Sequence, residues 1–183
     1  MSRATDAILG SSDYVWRRLM ARIGGLSDEE YFWEPADGGW SLRRGADGVW
    51  RLDGEGGGGP APDPVPVTSI AWRLGHIGAL TLRGFYVARF ADGPPEPNPE
   101  DLPGRAADAA PFLERQYATW RGALADLGDA DWAAPLGEGW GPYADSSTTD
   151  LVLHVLDEVI HHGAEVGLLR DLFAARRRGA LRA

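Results

Sequence analysis

Apolar residues recur at helical spacing in four separate stretches, and this recurrence restricts the fold more than any other feature of the sequence. Residues three, four and seven positions apart share one face of an α-helix. In the third stretch Leu113, Tyr117, Trp120, Leu124 and Leu127 alternate steps of four and three. Each such helix must bury its apolar face, so the sequence predicts an all-α fold, a four-helix bundle.

Capping and breaking residues predict where these helices begin and end. The predicted helices run from about residue 4 to 24, from Thr68 or Ser69 to just before Gly93-Pro94-Pro95, through residues 113–127, and from residues 148–150 to about 173. After the first helix, a capping box from Ser27 to Glu30 followed by Pro35 predicts one short helical turn.

The region between the first two helices, residues 36–67, is rich in Gly and Pro. Such residues favour turns, so we predict an elaborated loop with at most one short strand at Val49–Leu52, with a small hairpin as the alternative. A length of 183 residues suits one domain, and we treat residues 1–183 as a single domain.

Composition excludes several classes of function. The net charge of −9 disfavours nucleic acid as a partner. The absence of cysteine excludes disulfides, thiolate metal ligands and a thiol nucleophile within the chain. The N-terminus has no signal-like apolar core. Nowhere does the sequence contain about 18 consecutive apolar residues, the length that a membrane-spanning helix needs. We therefore expect a soluble, cytoplasmic protein without nucleic-acid or membrane partners.

Three of the four histidines lie in one window of the fourth helix, HVLDEVIHHGAE. Viewed along the helix axis, His154, His162 and Glu165 lie within about 40° of Glu158, and His161 within about 60°. This arrangement predicts a mostly buried helix whose titratable face lines an internal cleft, because apolar residues cover much of the remaining circumference: Val152, Val155, Leu156, Val159, Ile160 and Val166. The alternative is a solvent-facing stripe, although such faces usually carry Lys, Arg and Glu.

Glu158 and His162 lie one helical turn apart, so their side chains can converge on one ion. The remaining histidine, His76, lies midway along the second predicted helix and is the candidate third ligand. Two imidazoles and one carboxylate form both a catalytic type of zinc site and the facial triad of non-haem iron, and the sequence does not choose between them. Trp72 and Arg83 lie beside His76 on that helix and are candidate cofactor-binding residues.

The other titratable side chains of the stripe, His154, His161 and Glu165, are the candidate catalytic residues. Imidazoles and carboxylates beside a metal site orient its ligands or move protons. We expect these three to act in one of those ways.

Three segments, SIAWRLGHI, LSDEEYFWEP and LVLHVLDEVIHHGAEVGLLRDL, resemble the DinB-like superfamily, which includes mycothiol-dependent and bacillithiol-type S-transferases. The resemblance spans most of the chain. It implies a four-helix bundle that binds a divalent metal, often zinc or nickel, through one histidine of the second helix and two residues one turn apart on the last. By position these are His76, Glu158 and His162.

The sequence departs from the common family pattern at one ligand position. Many members have histidine where this chain has Glu158, whereas the mycothiol-dependent maleylpyruvate isomerase branch is similar in having glutamate. That isomerase has a further C-terminal domain contributing to its active site, and this chain stops ten residues after Phe173. We therefore do not expect the isomerase reaction itself.

The resemblance implies a metal-dependent enzyme that transfers a low-molecular-weight thiol of the mycothiol type to a small electrophile. Zinc is the expected ion, with nickel or iron as alternatives. Because the chain lacks cysteine, the sulfur must come from a separate thiol molecule. Two other functions stay open: a metal-dependent hydrolase, and a stress-associated metal-binding protein without turnover. A homodimer through apolar helix faces is a further expectation.

Overall fold

A computed structural model of the chain describes residues 2–54, 62–91 and 102–180. Within these residues the fold is helical apart from a two-stranded sheet, which confirms the predicted all-α class. The helices are α1 Arg3–Ile23, α2 Asp28–Tyr31, α3 Ile70–Gly75, α4 Phe85–Phe90, α5 Ala106–Ala125, α6 Asp129–Ala133 and α7 Thr148–Arg177. A π-helical segment, π1 (His76–Gly84), joins α3 to α4, and a 3₁₀ segment, Glu138–Tyr143, precedes α7.

The second and fourth long helices begin at the predicted capping residues, whereas α5 begins at Ala106, before the predicted stretch 113–127. The Ser69 side chain accepts a hydrogen bond from the first turn of α3, as an N-cap does. Ser147 caps α7 reciprocally with Asp150, and α7 continues past the predicted end to Arg177. The predicted stop of the second helix, Gly93-Pro94-Pro95, lies outside the described residues, as do residues 94–101 of the next connection.

The core lies where α1, the α3–π1–α4 helix, α5 and α7 meet. The predicted apolar faces supply many of its fully buried members: Leu19, Ile23, Ile70, Leu74, Ile77, Leu113, Trp120, Leu124, Val152, Val155, Val159 and Val166. The faces predicted for the four long helices therefore meet in one hydrophobic cluster, as a bundle requires.

The outer face of α7 corrects one expectation. Ile160, predicted to help bury this helix, is 46% exposed, and Leu153 and Leu168 on the same face are also exposed. The helix is therefore buried on one side only, because its neighbours α1 and α3 pack against the opposite part of its circumference. The homodimer through apolar helix faces stays a prediction.

The predicted loop contains the hairpin. Strand β1, Leu42–Arg44, pairs antiparallel with β2, Trp50–Leu52, and residues 55–61 of the loop lie outside the described part of the chain. The hairpin is tied to α3, because the backbone carbonyl of Asp53 accepts a hydrogen bond of 2.8 Å from the Trp72 indole. This loop therefore supports the helix that carries His76.

The capping box predicted at Ser27 forms only in part. The Ser27 side chain accepts a hydrogen bond from the backbone N–H of Glu30, which confirms the cap of α2. The Glu30 carboxylate, however, accepts two hydrogen bonds from Arg170 of α7, at 2.7 and 3.2 Å. Arg170 also donates to the carbonyl of Gly24, so it ties the α1–α2 corner to α7. An ion pair between distant elements thus replaces the local contact.

The second helix is interrupted by nine residues of π-helix that begin at His76. Apolar spacing predicts only a continuous α-helix there, so this segment is a finding of the tertiary structure. Gly78 lies within it, and a Cβ atom at that position would lie 2.2 Å from Cε1 of Phe112 in α5. π-helical turns are rare and occur frequently at functional sites.

Candidate metal centre

The support beneath His76 comes from α3 and the hairpin. Its imidazole stacks on the indole of Trp72, with ring centroids 5.1 Å apart and an interplanar angle of 13°. Trp72 is itself only 4% exposed and donates its indole hydrogen bond to Asp53. The ring of His76 is therefore held against a fixed aromatic surface.

Three candidate ligand atoms converge between π1 and α7. Oε2 of Glu158 lies 3.1 Å from Nε2 of His76 and 3.2 Å from Nε2 of His162. These three residues form a group whose donor atoms all lie within 4.8 Å of one another. All three side chains are mostly buried, with 12 to 24% of their surface exposed. The structure therefore brings together the three residues that the sequence predicts as ligands.

The spacing between Glu158 and each of the two histidine nitrogens is compatible with a shared divalent metal ion. Ligands about 2.1 Å from an ion lie roughly 3.4 Å apart in a tetrahedral site and roughly 3.0 Å apart at the right angles of an octahedral one. The two Glu158 distances fall between these values. Two imidazoles and one carboxylate leave at least one coordination position open. The residues present therefore fit a catalytic type of metal site, and the distances do not select the metal.

Glu165 and Arg73 lie behind His162. Oε2 of Glu165 is 2.7 Å from Nδ1 of His162, and Nε of Arg73 is 2.9 Å from the same carboxylate oxygen. Arg73 was not predicted as part of the site. Its position three residues before His76 on the same helix is the sequence signal that could have identified it.

His154 and His161, the other predicted catalytic residues, lie at the open side of the cluster. The His161 ring is 4.8 Å from that of His162, and its Nε2 is 3.5 Å from Glu165. His154 is exposed and contacts Phe85 edge-on, with centroids 5.3 Å apart. The stripe is thus mostly buried at Glu158 and His162, where it contacts His76, and exposed at His154 and His161.

The two predicted cofactor-binding residues occupy different settings. Trp72 is buried under His76, as described above. Arg83 is half-buried on π1, one residue before Gly84, where the π segment ends. Their roles toward a cofactor stay predictions.

The two carboxylates of the cluster favour the ionised state. Burial raises the pKa of Glu158, but the hydrogen bond to His76 and the charges of nearby histidines lower it more, so its pKa lies below the usual value. Burial likewise raises the pKa of Glu165, and the hydrogen bond to His162 and the charge of Arg73 reverse that effect. Both groups are therefore anionic at neutral pH, as cation binding requires.

These lowered pKa values predict how the stability of the metal-free protein depends on pH. A carboxylate whose pKa is lower in the folded than in the unfolded state stabilises the fold above the unfolded value, and that contribution disappears as pH falls through the folded value. We expect the free energy of unfolding to decrease below pH 4.5 and to decrease less steeply in Glu158→Gln. Urea unfolding of chelator-treated protein from about pH 6 to about pH 3 measures this. Equal slopes for the parent and the variant would contradict it.

The model of the DinB superfamily matches residues 12–166 of the chain. The match covers most of the sequence and includes all three converging side chains. No curated protein and no solved structure matches the chain significantly. In the described parts of the chain, no helix is both long and apolar enough to cross a membrane.

Proposed function

The chain belongs to the DinB superfamily, a family of metal-binding proteins, and we propose that it is a metal-dependent thiol S-transferase. The observation that carries the proposal is the convergence of His76, Glu158 and His162. The Glu158 carboxylate lies 3.1 Å from His76 on the facing helix and 3.2 Å from His162 on its own helix. We propose that these three residues bind one divalent ion, with zinc first and nickel or iron as alternatives.

A divalent ion on these residues would supply a Lewis acid that lowers the pKa of a thiol at its open position. Because the chain has no cysteine, the sulfur belongs to a separate small thiol, which we propose to be of the mycothiol type. The partner of that thiol is a small electrophile.

We propose that His161 and His154 accept the thiol proton and later release it. Both imidazoles are exposed, and the His161 ring lies 4.8 Å from the proposed ligand His162. The thiol proton passes to one of these imidazoles as the sulfur–carbon bond forms and the bond to the leaving group breaks. The imidazolium then releases its proton with the leaving group, so no oxidant or reductant is required. Glu165 orients His162 through its Nδ1 atom.

An assay with a small thiol and an alkyl halide tests the proposal. We expect the metal-loaded parent to form the thioether only when both are present. Combining His154→Ala with His161→Ala should lower the rate by roughly a hundredfold, as loss of a general base does. Glu158→Ala should reduce the rate to that of the uncatalysed reaction. Arg17→Gln, an exposed change on α1, is the control that should retain the parent rate.

The outcome also separates the alternatives. Hydrolysis of the halide at the same rate without thiol would reject the transferase in favour of a hydrolase, since an ion in such a site can activate water instead. If the protein retained metal but showed no turnover with any tested thiol, the result would favour the alternative of a metal-binding protein without turnover.

A further inference from the structure

Arg73 is a buried cation that the proposed reaction does not use. Only 14% of its side chain is exposed, and its NH2 group donates a hydrogen bond of 3.1 Å to Oε1 of Glu165. Its NH1 atom lies 3.1 Å from Nδ1 of His162. The guanidinium also lies 5.0 Å from the ring centroid of Trp72, which stacks on His76. Arg73 thus contacts one proposed ligand directly and the aromatic support of the other.

The contact between Glu165 and His162 decides which nitrogen of the imidazole carries a proton. Oε2 of Glu165 is 2.7 Å from Nδ1, and an ionised carboxylate can only accept a hydrogen bond. Nδ1 also lies 3.1 Å from NH1 of Arg73, which can only donate, so the shorter contact with the carboxylate is the one that a proton on Nδ1 satisfies. Nε2, 3.2 Å from Glu158, is then the nitrogen that can bind a cation in place of a proton. The NH2 group of Arg73 donates to the other oxygen of this carboxylate and so holds it in the position that the contact with Nδ1 requires.

The structure contains a second group with the spacing of a cation site, formed by His161, His162 and Glu165. The guanidinium of Arg73 is within 3.1 Å of both His162 and Glu165, two of these three residues. A metal ion there would be repelled by the guanidinium, and the proton on Nδ1 would occupy the nitrogen it needs. Charge therefore disfavours the second group even though its geometry is suitable.

We propose that Arg73 is a positioning residue and that its fixed positive charge takes the place of a second metal ion. Together with Glu165 it sets His162 to bind metal through Nε2, and it excludes a metal ion from the group formed by His161, His162 and Glu165. The inference rests on the proposed metal site and is independent of the thiol-transfer reaction.

Nuclear magnetic resonance of ¹⁵N-histidine-labelled, metal-free protein tests the positioning role. We expect Nδ1 of His162 to be protonated in the parent, whether or not Nε2 is protonated as well. In Glu165→Ala the neutral ring should shift toward the form protonated on Nε2, and Glu165→Gln, which keeps an acceptor oxygen, should shift less. An unprotonated Nδ1 in the parent would overturn the proposal.

Competitive Zn²⁺ titration tests the exclusion of a second ion. Arg73→Gln should weaken the parent site by about tenfold, as loss of an outer hydrogen-bond partner does, while the exposed change Arg17→Gln should not. His76→Ala should bind no ion tightly, whereas His76→Ala with Arg73→Gln should regain one weakly bound ion. That regained ion should disappear again with His161→Ala.

The two tests distinguish failure of the inference from failure of the metal site. If the double variant binds no more Zn²⁺ than His76→Ala alone, Arg73 does not exclude an ion and the inference is wrong. If the parent itself binds no Zn²⁺, the proposed function fails, and the protonation of Nδ1 in His162 then decides the positioning role alone. Circular dichroism of each variant shows whether it is folded.

Discussion

We expect the metal retained through purification to fall from about one equivalent in the parent to none in His76→Ala and in Glu158→Ala. Each substitution removes one of three converging ligands, and Glu158 lies 3.1 and 3.2 Å from the two histidine nitrogens. Zinc binding to four-ligand structural sites contributes about 10–16 kcal/mol, or roughly 3 kcal/mol per ligand. We therefore expect at least a hundredfold weaker affinity, measured by metal analysis and competitive chelation.

Two matched variants control for charge and for ligand type at this position. Asp157→Ala removes the neighbouring carboxylate, which is exposed on α7, and should leave the metal content unchanged. Glu158→His replaces one metal-binding side chain by another and should retain the ion. Metal retained equally in Glu158→Ala and in the parent would mean that the three residues are not the site.

Gly78→Ala should lower the free energy of unfolding by about 2 kcal/mol. Alanine normally stabilises a helix by at most about 1 kcal/mol relative to glycine. Here, however, the added Cβ would lie 2.2 Å from Cε1 of Phe112, a ring that is only 2% exposed and has no room to move away. Overpacking of this kind costs about 1–3 kcal/mol, and the severity of the overlap places the change at the upper end. Thermal unfolding should show a midpoint lowered by about 4–8 °C.

Gly122→Ala in α5 provides the comparison, since a Cβ there would meet no atom within 4 Å. This variant should be as stable as the parent or slightly more stable, because only the helix propensity changes. Because Gly78 lies two residues after His76, its alanine variant should also bind metal more weakly. Equal stability of the two alanine variants would show that π1 does not depend on close packing against Phe112.

Much of the fold could be predicted from the sequence because helix formation and capping depend on residues that are close together in the chain. The step of four and three residues from Leu113 to Leu124 is set by helix geometry alone, and both side chains are buried as predicted. The cap at Ser69 is equally local, since its hydroxyl bonds a backbone N–H three residues away. The convergence of Glu158 and His162 follows from their spacing of one turn.

The sequence could not show the contacts that depend on where distant elements pack. Glu30 was expected to cap α2 but pairs with Arg170, which is close only because α7 passes the α1–α2 corner. Exposure of Ile160 likewise depends on which side of α7 the other helices cover. Such contacts join residues far apart in the chain, and no periodicity encodes them.

The spacing of residues along single helices therefore determined that four amphipathic helices form and which face of α7 carries the titratable side chains. Only the folded chain decided that His76 lies 3.1 Å from Glu158, that nine residues beginning at His76 form a π-helix, and that Arg73 stands behind His162. The physical reason is one of range. In an α-helix each residue is rotated by about 100° from the one before, so the sequence alone gives the direction of each side chain around the helix axis. The distance between two helices depends instead on how their buried side chains pack together.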